Sequence, residues 1–268
     1  MRQYDHQTKA GNAGDVIKHP ALIAALKGLL AEHQGPFRYG DAFAGRPAYE
    51  LREDGAWPSG IAQLAARWAG GNRDVGLWRR QWTAASGALY PGSTRLAQRV
   101  LAGRGNDEIR AFEIVDACAD ELRGELGEEA VFTRSATPAD WVDWRPDLLF
   151  IDPPGLRSER RPDDPTLESL LRLAAPGAEH VRNVLLWLPM VGEGRSSGIA
   201  RPLDAGASRT RDVCVQSGFG VLAVRWHEDG PMPGCLLVFR FQSPKVLRRV
   251  TAAVETIVRT MDPDWRMV

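Results

Sequence analysis

The sequence predicts an α/β domain built on a seven-stranded, mostly parallel sheet, and three observations lead there. Helix-like and strand-like apolar segments alternate along the 268 residues, the pattern left by strands joined through crossover helices. Seven short apolar runs stand where such strands are needed. The last two lie close together, separated by His227 to Gly234, a connection of hairpin rather than crossover character, which predicts one antiparallel strand in the set.

Taken in order, the chain opens with a helix. Asp15 reads as its N-cap, and Val16, Ile17, Leu22, Ile23, Leu26, Leu29 and Leu30 recur at helical spacing. Pro20 is placed in or near the first turn, where a missing N–H is tolerated. The first strand covers 37–40 and ends at Asp41. Further strands are expected over 109–115, 131–134, 148–151, 184–188, 221–226 and 236–241. Roughly seventy residues separate the first strand from the second, too many for one crossover helix. Two helical spacings fill that interval: Ile61, Leu64, Ala65 and Trp68, then Val75, Trp78, Trp82 and Ala85. Residues 54–92 are therefore expected to form a small helical insertion in a domain made of 1–53 and 93–268. The tryptophans of the insertion read as its core, because small helical layers need large apolar side chains.

Composition narrows the function classes. With 44% hydrophobic residues the chain can bury a sizeable core. The three cysteines, Cys118, Cys214 and Cys235, are far apart and suggest neither a disulfide framework nor zinc ligation. The opening residues lack the apolar region of a secretory signal, and no run approaches the ~18 apolar residues of a membrane span, so a cytoplasmic protein is expected. Basic and acidic residues balance at 34 each. Any nucleic-acid contact must then be local rather than a whole-chain field.

The chemistry-bearing residues fall at strand ends, where open α/β sheets bind ligands. Asp41 to Gly45 offers an acid and a glycine that lets backbone approach a ligand. Glu113 stands where a carboxylate can accept both hydroxyls of a ribose. Asp152-Pro153-Pro154 is sharper. It ends the apolar run 148–151, and its two prolines stiffen the chain while removing two backbone donors. The resulting acceptor cluster suits an exocyclic amine: the Asp152 oxygen and the Pro153 carbonyl can take its two hydrogens and steer the nitrogen lone pair toward an electrophilic methyl. No nuclease-type metal cluster is visible, and Gly45-Arg46-Pro47-Ala48 cannot supply the glycine spacing of a dinucleotide fingerprint.

Several of these residues also belong to a longer pattern. Tyr4, His6, Ala10-Gly11-Asn12, Asp15-Val16 and Lys18-His19, followed by Tyr90-Pro91-Gly92-Ser93, Glu113, Ile151-Asp152-Pro153-Pro154 and Trp187-Leu188-Pro189, resemble the family of ribosomal RNA large subunit methyltransferase J. The resemblance runs over essentially the whole chain. It implies a Rossmann-like class I methyltransferase fold with a helical insertion, S-adenosylmethionine as cofactor, and methyl transfer to the N6 amine of an adenine in 23S rRNA. A monomer acting on free or early precursor RNA, as a step of rRNA processing and without metal or membrane, is expected. It also implies roles. Lys18, His19, Asp41, Gly45, Ser93, Glu113 and Asp152 would hold the cofactor, Asp152, Pro153 and Pro154 would carry the catalysis, and Tyr4 would touch the RNA. Arg157, Arg160 and Arg161, in a polar loop directly after the catalytic run, are positioned to meet RNA phosphates. Ser93 doubles as a potential N-cap for the residues after it.

The sequence departs from the family pattern at four places. Gly155 replaces the aromatic residue that would stack on a flipped-out base, a loss of roughly 1–3 kcal/mol of base binding, for which Tyr4 or Trp187 is a substitute. Phe43 and Pro47 change the first glycine-rich loop. Ala136-Thr137 occupies the place of an acid–glycine pair that would frame the cofactor adenine, with Asp140 nearby. An RNA-binding protein that has lost turnover is the alternative these departures raise.

Overall fold

The computed structural model describes residues 6–156, 162–175, 181–190, 204–226, 232–261 and 263–268. Its centre is a sheet of eight strands in the spatial order β5 (Val131–Phe132), β4 (Glu108–Phe112), β1 (Arg38–Asp41), β6 (Leu148–Ile151), β7 (Val184–Pro189), β9 (Gly234–Arg240), β8 (Gly220–Arg225) and β10 (Arg266–Met267). The strands from β5 to β7 are mutually parallel. β9 runs antiparallel to both its neighbours, and β10 is antiparallel to β8. All seven anticipated strands are present, most with ends shifted by a few residues. The eighth, β10, is an addition to the expected seven. At two residues it is too short to show an alternating pattern and exists only because β8 offers an edge.

Side chains along the parallel strands alternate between two cores, as strand geometry requires. Leu148 and Phe150 of β6 face one core with α1 (Ala13–Leu30) and α8 (Pro244–Thr260). Leu149 and Ile151 face the other, with α6 (Leu167–Ala174), Trp141 and Phe219. Helix α5 (Asp116–Leu126) covers the β4–β5 edge through Ala119 and Leu122, and α7 (Asp204–Gln216) precedes β8.

Helix α1 begins earlier than its sequence pattern suggests. Asn12 is the N-cap, accepting the Asp15 N–H at 3.1 Å, and Asp15 sits inside the first turn rather than capping it. Pro20 consequently lies about two turns into the helix, not at its start, so one intrahelical bond is missing there. The helix tolerates this because it is held from outside. Nearly every one of its residues is buried among the sheet, α8, α3 (Arg73–Arg79) and α4 (Ser93–Leu101).

Between β2 (Ala48–Glu50) and β3 (Leu89–Pro91), which form a separate hairpin, lie α2 (Ile61–Arg67) and α3. Both helices stop short of their predicted ends, so Trp82 and Ala85 fall beyond α3. Trp78 and Trp82 are buried edge to face, with ring centroids 4.9 Å apart, and join the core that contains α1. The pairing of Asp74 on α3 with Arg249 on α8, at 2.5 and 2.7 Å, ties this segment to the main layer.

Candidate functional site

Parallel pairing brings three acids to one edge of the sheet. Asp41 ends β1 opposite Ala111 of β4 and Phe150 of β6, and Glu113 and Asp152 follow two residues beyond those partners. Helix α1 supplies Lys18 and His19, both buried. The anticipated residues of this edge fall into three linked groups.

In the first group, the Lys18 ammonium bridges two carboxylates, 2.8 Å from Asp15 Oδ1 and 2.6 Å from Asp152 Oδ2. It lies 5.1 Å from the centre of the Trp187 ring, close enough for a cation–π contact. Burial alone would lower the Lys18 pKa. Asp15 and then Asp152 more than reverse that, and the ammonium is held raised above its ordinary value. The second oxygen of Asp15 accepts the Gly11 N–H at 2.7 Å. The Asp152 side chain is 16% exposed, so it is neither turned into the core nor fully open. Pro153 behind it is buried.

In the second group, Asp41 is fully buried. Its Oδ2 accepts from Ser93 Oγ at 2.6 Å and from the Tyr39 hydroxyl at 2.8 Å, and the Phe43 N–H lies 3.4 Å from Oδ1. Burial raises its pKa to about 6, partly offset by the Ser93 and Tyr39 hydrogen bonds and reinforced by the Asp152 charge. Gly92 is the N-cap of α4, so Ser93 is the first helical residue and its hydroxyl serves Asp41 rather than the helix end.

In the third group, Glu113 accepts the Gly45 N–H on Oε2 and the Val115 N–H on Oε1, each at 2.8 Å. Two backbone donors hold a half-buried carboxylate still and leave each oxygen a further lone pair. Gly45 has φ +63°, and a Cβ there would stand 2.2 Å from the Tyr49 hydroxyl oxygen. No other residue fits this turn without displacing Tyr49, whose hydroxyl accepts the Arg46 N–H at 2.8 Å. His19 lies beside the first group, its Nδ1 2.6 Å from the Tyr90 hydroxyl.

Other anticipated residues stand differently. Tyr4, Arg157, Arg160 and Arg161 lie outside the described residues. Trp187 is 7% exposed, with Lys18 over its ring and Gly14 against its edge, so it is not an open stacking platform. Asp140 accepts the Thr137 N–H and hydroxyl at 2.7 and 2.8 Å and pairs with Arg134. These bonds overcome the upward effect of burial and hold its carboxyl down to about 2. Asp15 and Tyr39 have places in the site that the sequence reading missed. Their spacings were the available signal: Asp15 is three residues before Lys18 on one helix face, and Tyr39 is two residues before Asp41 on one strand face.

Among the described residues no group of three or more His, Cys, Asp or Glu side chains is arranged to hold a metal ion, and no helix is long and apolar enough to cross a membrane. No protein-family model and no curated protein sequence matches the chain.

The molecule belongs to the mixed α/β class with a mainly parallel central sheet. Among solved structures it is similar over 97% of both chains to protein LPL1258 from Legionella pneumophila str. Philadelphia 1, described as of family DUF519, with a TM-score of 0.73 at 18% identity. The two share a fold. A Clostridium thermocellum protein described as an rRNA-methylase matches at a TM-score of 0.39 and 10% identity, over 76% of this chain and 88% of that one. A human methyltransferase 10 domain containing protein matches at 0.39 and 11%, over 83% of each. At that score neither likeness bears on function.

Proposed function

We propose that the protein is a class I, Rossmann-like S-adenosylmethionine-dependent methyltransferase acting on a nucleobase amine, the N6 amine of an adenine in 23S rRNA. The observation that carries this reading is the placement of Asp152. Its carboxylate emerges from a parallel strand, backed by Pro153 and Pro154 and fixed by Lys18 at 2.6 Å, one strand from Asp41 and two from Glu113.

The donor and acceptor set fits the cofactor. A half-buried carboxylate held by two backbone N–H groups is suited to accept two vicinal hydroxyls of a ribose, and Glu113 is such a group. The glycine at position 45 keeps the adjoining backbone close and free of side chain. When bound, S-adenosylmethionine supplies a sulfonium methyl as the electrophile. The work of the chain is positioning. Asp152 and the Pro153 carbonyl accept the two amine hydrogens, aligning the nitrogen lone pair, and the carboxylate favours the positive charge that develops on nitrogen as the bond to the methyl forms. One amine proton then leaves to solvent. Lys18 anchors one Asp152 oxygen, so the carboxylate is set before substrate arrives. Arg157, Arg160, Arg161 and Tyr4 belong to this proposal as contacts to RNA.

Calorimetric titration with S-adenosylhomocysteine tests the cofactor site, and absence of binding to pure protein sinks the reading. Mass spectrometry of 23S rRNA from cells with and without the gene tests the substrate, through one N6-methyladenine missing from the deletion. Gly155 favours a second reading, an RNA-binding protein without turnover. RNA binding with no radiolabelled methyl transfer selects it.

A further inference from the structure

We infer that the helical insertion, together with α4, carries an RNA-docking surface on which Arg73, Arg80 and Arg99 meet backbone phosphates that flank the target base. That the polyanion is RNA rests on the function proposed above. The charge of the segment is the first observation. Basic and acidic residues balance over the whole chain, yet residues 55–106 hold seven arginines and no lysine against a single acid, Asp74. That acid is taken by Arg249 of α8. Two of the seven, Arg95 and Arg104, find carboxylates beyond the segment, in Glu125 and Asp107. Arg73, Arg79, Arg80 and Arg99 pair with no carboxylate among the described residues.

Their placement joins them into one surface. Arg73 opens α3 and Arg80 is its C-cap; seven residues apart, they project from the same helix face, about 10 Å from one another along the axis. Arg79 between them donates to the Trp82 carbonyl at 3.3 Å, with its guanidinium 4.4 Å from the centre of the Trp82 ring. Arg99, in the last turn of α4, donates to Gln81 Oε1 at 3.1 Å, which sets it beside the residue that follows Arg80. Arg73, Arg80 and Arg99 are exposed. Cations spaced within a Debye length of ~10 Å add their fields. Such a row is too spread for one small anion and suits successive phosphates of a strand, which guanidinium forks bind in pairs of hydrogen bonds. The same segment is fastened to the site. Tyr90 of β3 meets His19 at 2.6 Å, and α4 begins at Ser93, whose hydroxyl meets Asp41 at 2.6 Å. Arg99 stands six residues farther along that helix, about 9 Å. A strand whose base is presented at Asp152 passes these arginines within a few nucleotides.

Filter binding of radiolabelled 23S rRNA transcribed in vitro, from about 50 to 200 mM salt, tests the surface. Arg73→Gln, Arg80→Gln and Arg99→Gln combined are expected to weaken binding about tenfold at the low-salt end. They are also expected to flatten the plot of log affinity against log salt by about two to three units, since each phosphate contact contributes about 0.7–0.9. Arg80→Gln alone is expected to flatten it by about one, and decides the matter should the triple variant fail to fold. A control, Arg145→Gln, Arg172→Gln and Arg211→Gln combined, removes the same charge from exposed positions elsewhere and is expected to keep the wild-type slope. A wild-type slope in the first triple variant overturns the inference and leaves the surface to an acidic protein. Equal losses in both triple variants overturn it as well, reducing the effect to overall charge. Calorimetry with S-adenosylhomocysteine separates this inference from the function it rests on. A flattened slope in a protein that binds no S-adenosylhomocysteine keeps the docking surface and removes the methyltransferase. Methyl transfer to 23S rRNA with an unaltered slope in the variant does the reverse, and no RNA binding by the wild type overturns both.

Discussion

Two charged groups cross between elements of this molecule, and they are built to opposite ends. Asp74 and Arg249 join α3 to α8 through two parallel hydrogen bonds at 2.5 and 2.7 Å. Each carboxylate oxygen meets a guanidinium nitrogen, one cation to one anion, the geometry arginine favours with carboxylates. At the strand ends, Lys18 serves two carboxylates at once, Asp15 and Asp152, at 2.8 and 2.6 Å. There one ammonium is shared by two carboxylates beside the Trp187 ring, close enough to Asp41 for Asp152 to raise its pKa. The first arrangement closes on itself and reads as scaffold. The second joins α1 to the residue that follows β6, at the edge where the acids of the strand ends gather.

Breaking each pair in turn sharpens the contrast. Lys18→Met is expected to have the largest effect on stability, about 3–5 kcal/mol in chemical denaturation, because it takes the shared cation from the fully buried Asp15 and the half-buried Asp152. Asp152→Asn is expected to leave the fold intact while methyl transfer falls about 10²–10³-fold, the scale seen when one preorganised electrostatic partner is removed. A variant as active as wild type places the chemistry elsewhere.

The third test is pH. Asp41 titrates near 6 in the fold, above its ordinary 3.8, so between roughly pH 4 and 6 the native state binds more protons than the unfolded chain. Its contribution therefore makes stability fall as pH rises through that window and level off above it, by about 3 kcal/mol at most. Asp41→Asn should flatten this part of the profile. An identical slope in the variant removes Asp41 from the account. Arg249→Met is expected to cost less, about 1–3 kcal/mol, since its guanidinium is partly exposed, and to leave S-adenosylhomocysteine affinity unchanged in calorimetry. Smallest of all, Gly45→Ala is expected to cost about 1–2 kcal/mol, from a positive φ and a Cβ against the Tyr49 hydroxyl, measured as a lowered Tm.

Much of this was written in the sequence. The apolar run 148–151 became β6 residue for residue, because a strand buried on both faces needs no context to be recognised. The acids at strand ends were legible for a related reason: a charge that ends an apolar strand has only the sheet edge to occupy. The close spacing of the last two long strands announced the antiparallel pair. What the sequence could not settle was decided by contact. Asp15 has the composition of a cap, yet Asn12 holds that position because Asp15 has a stronger partner in Lys18. Ser93 likewise turns to Asp41, Pro20 stays inside a helix that its neighbours clamp, and β10 forms only against an exposed edge. Periodicity and residue type reveal which segments are buried. Which of several possible partners a buried polar group takes depends on three-dimensional distances that no local pattern contains.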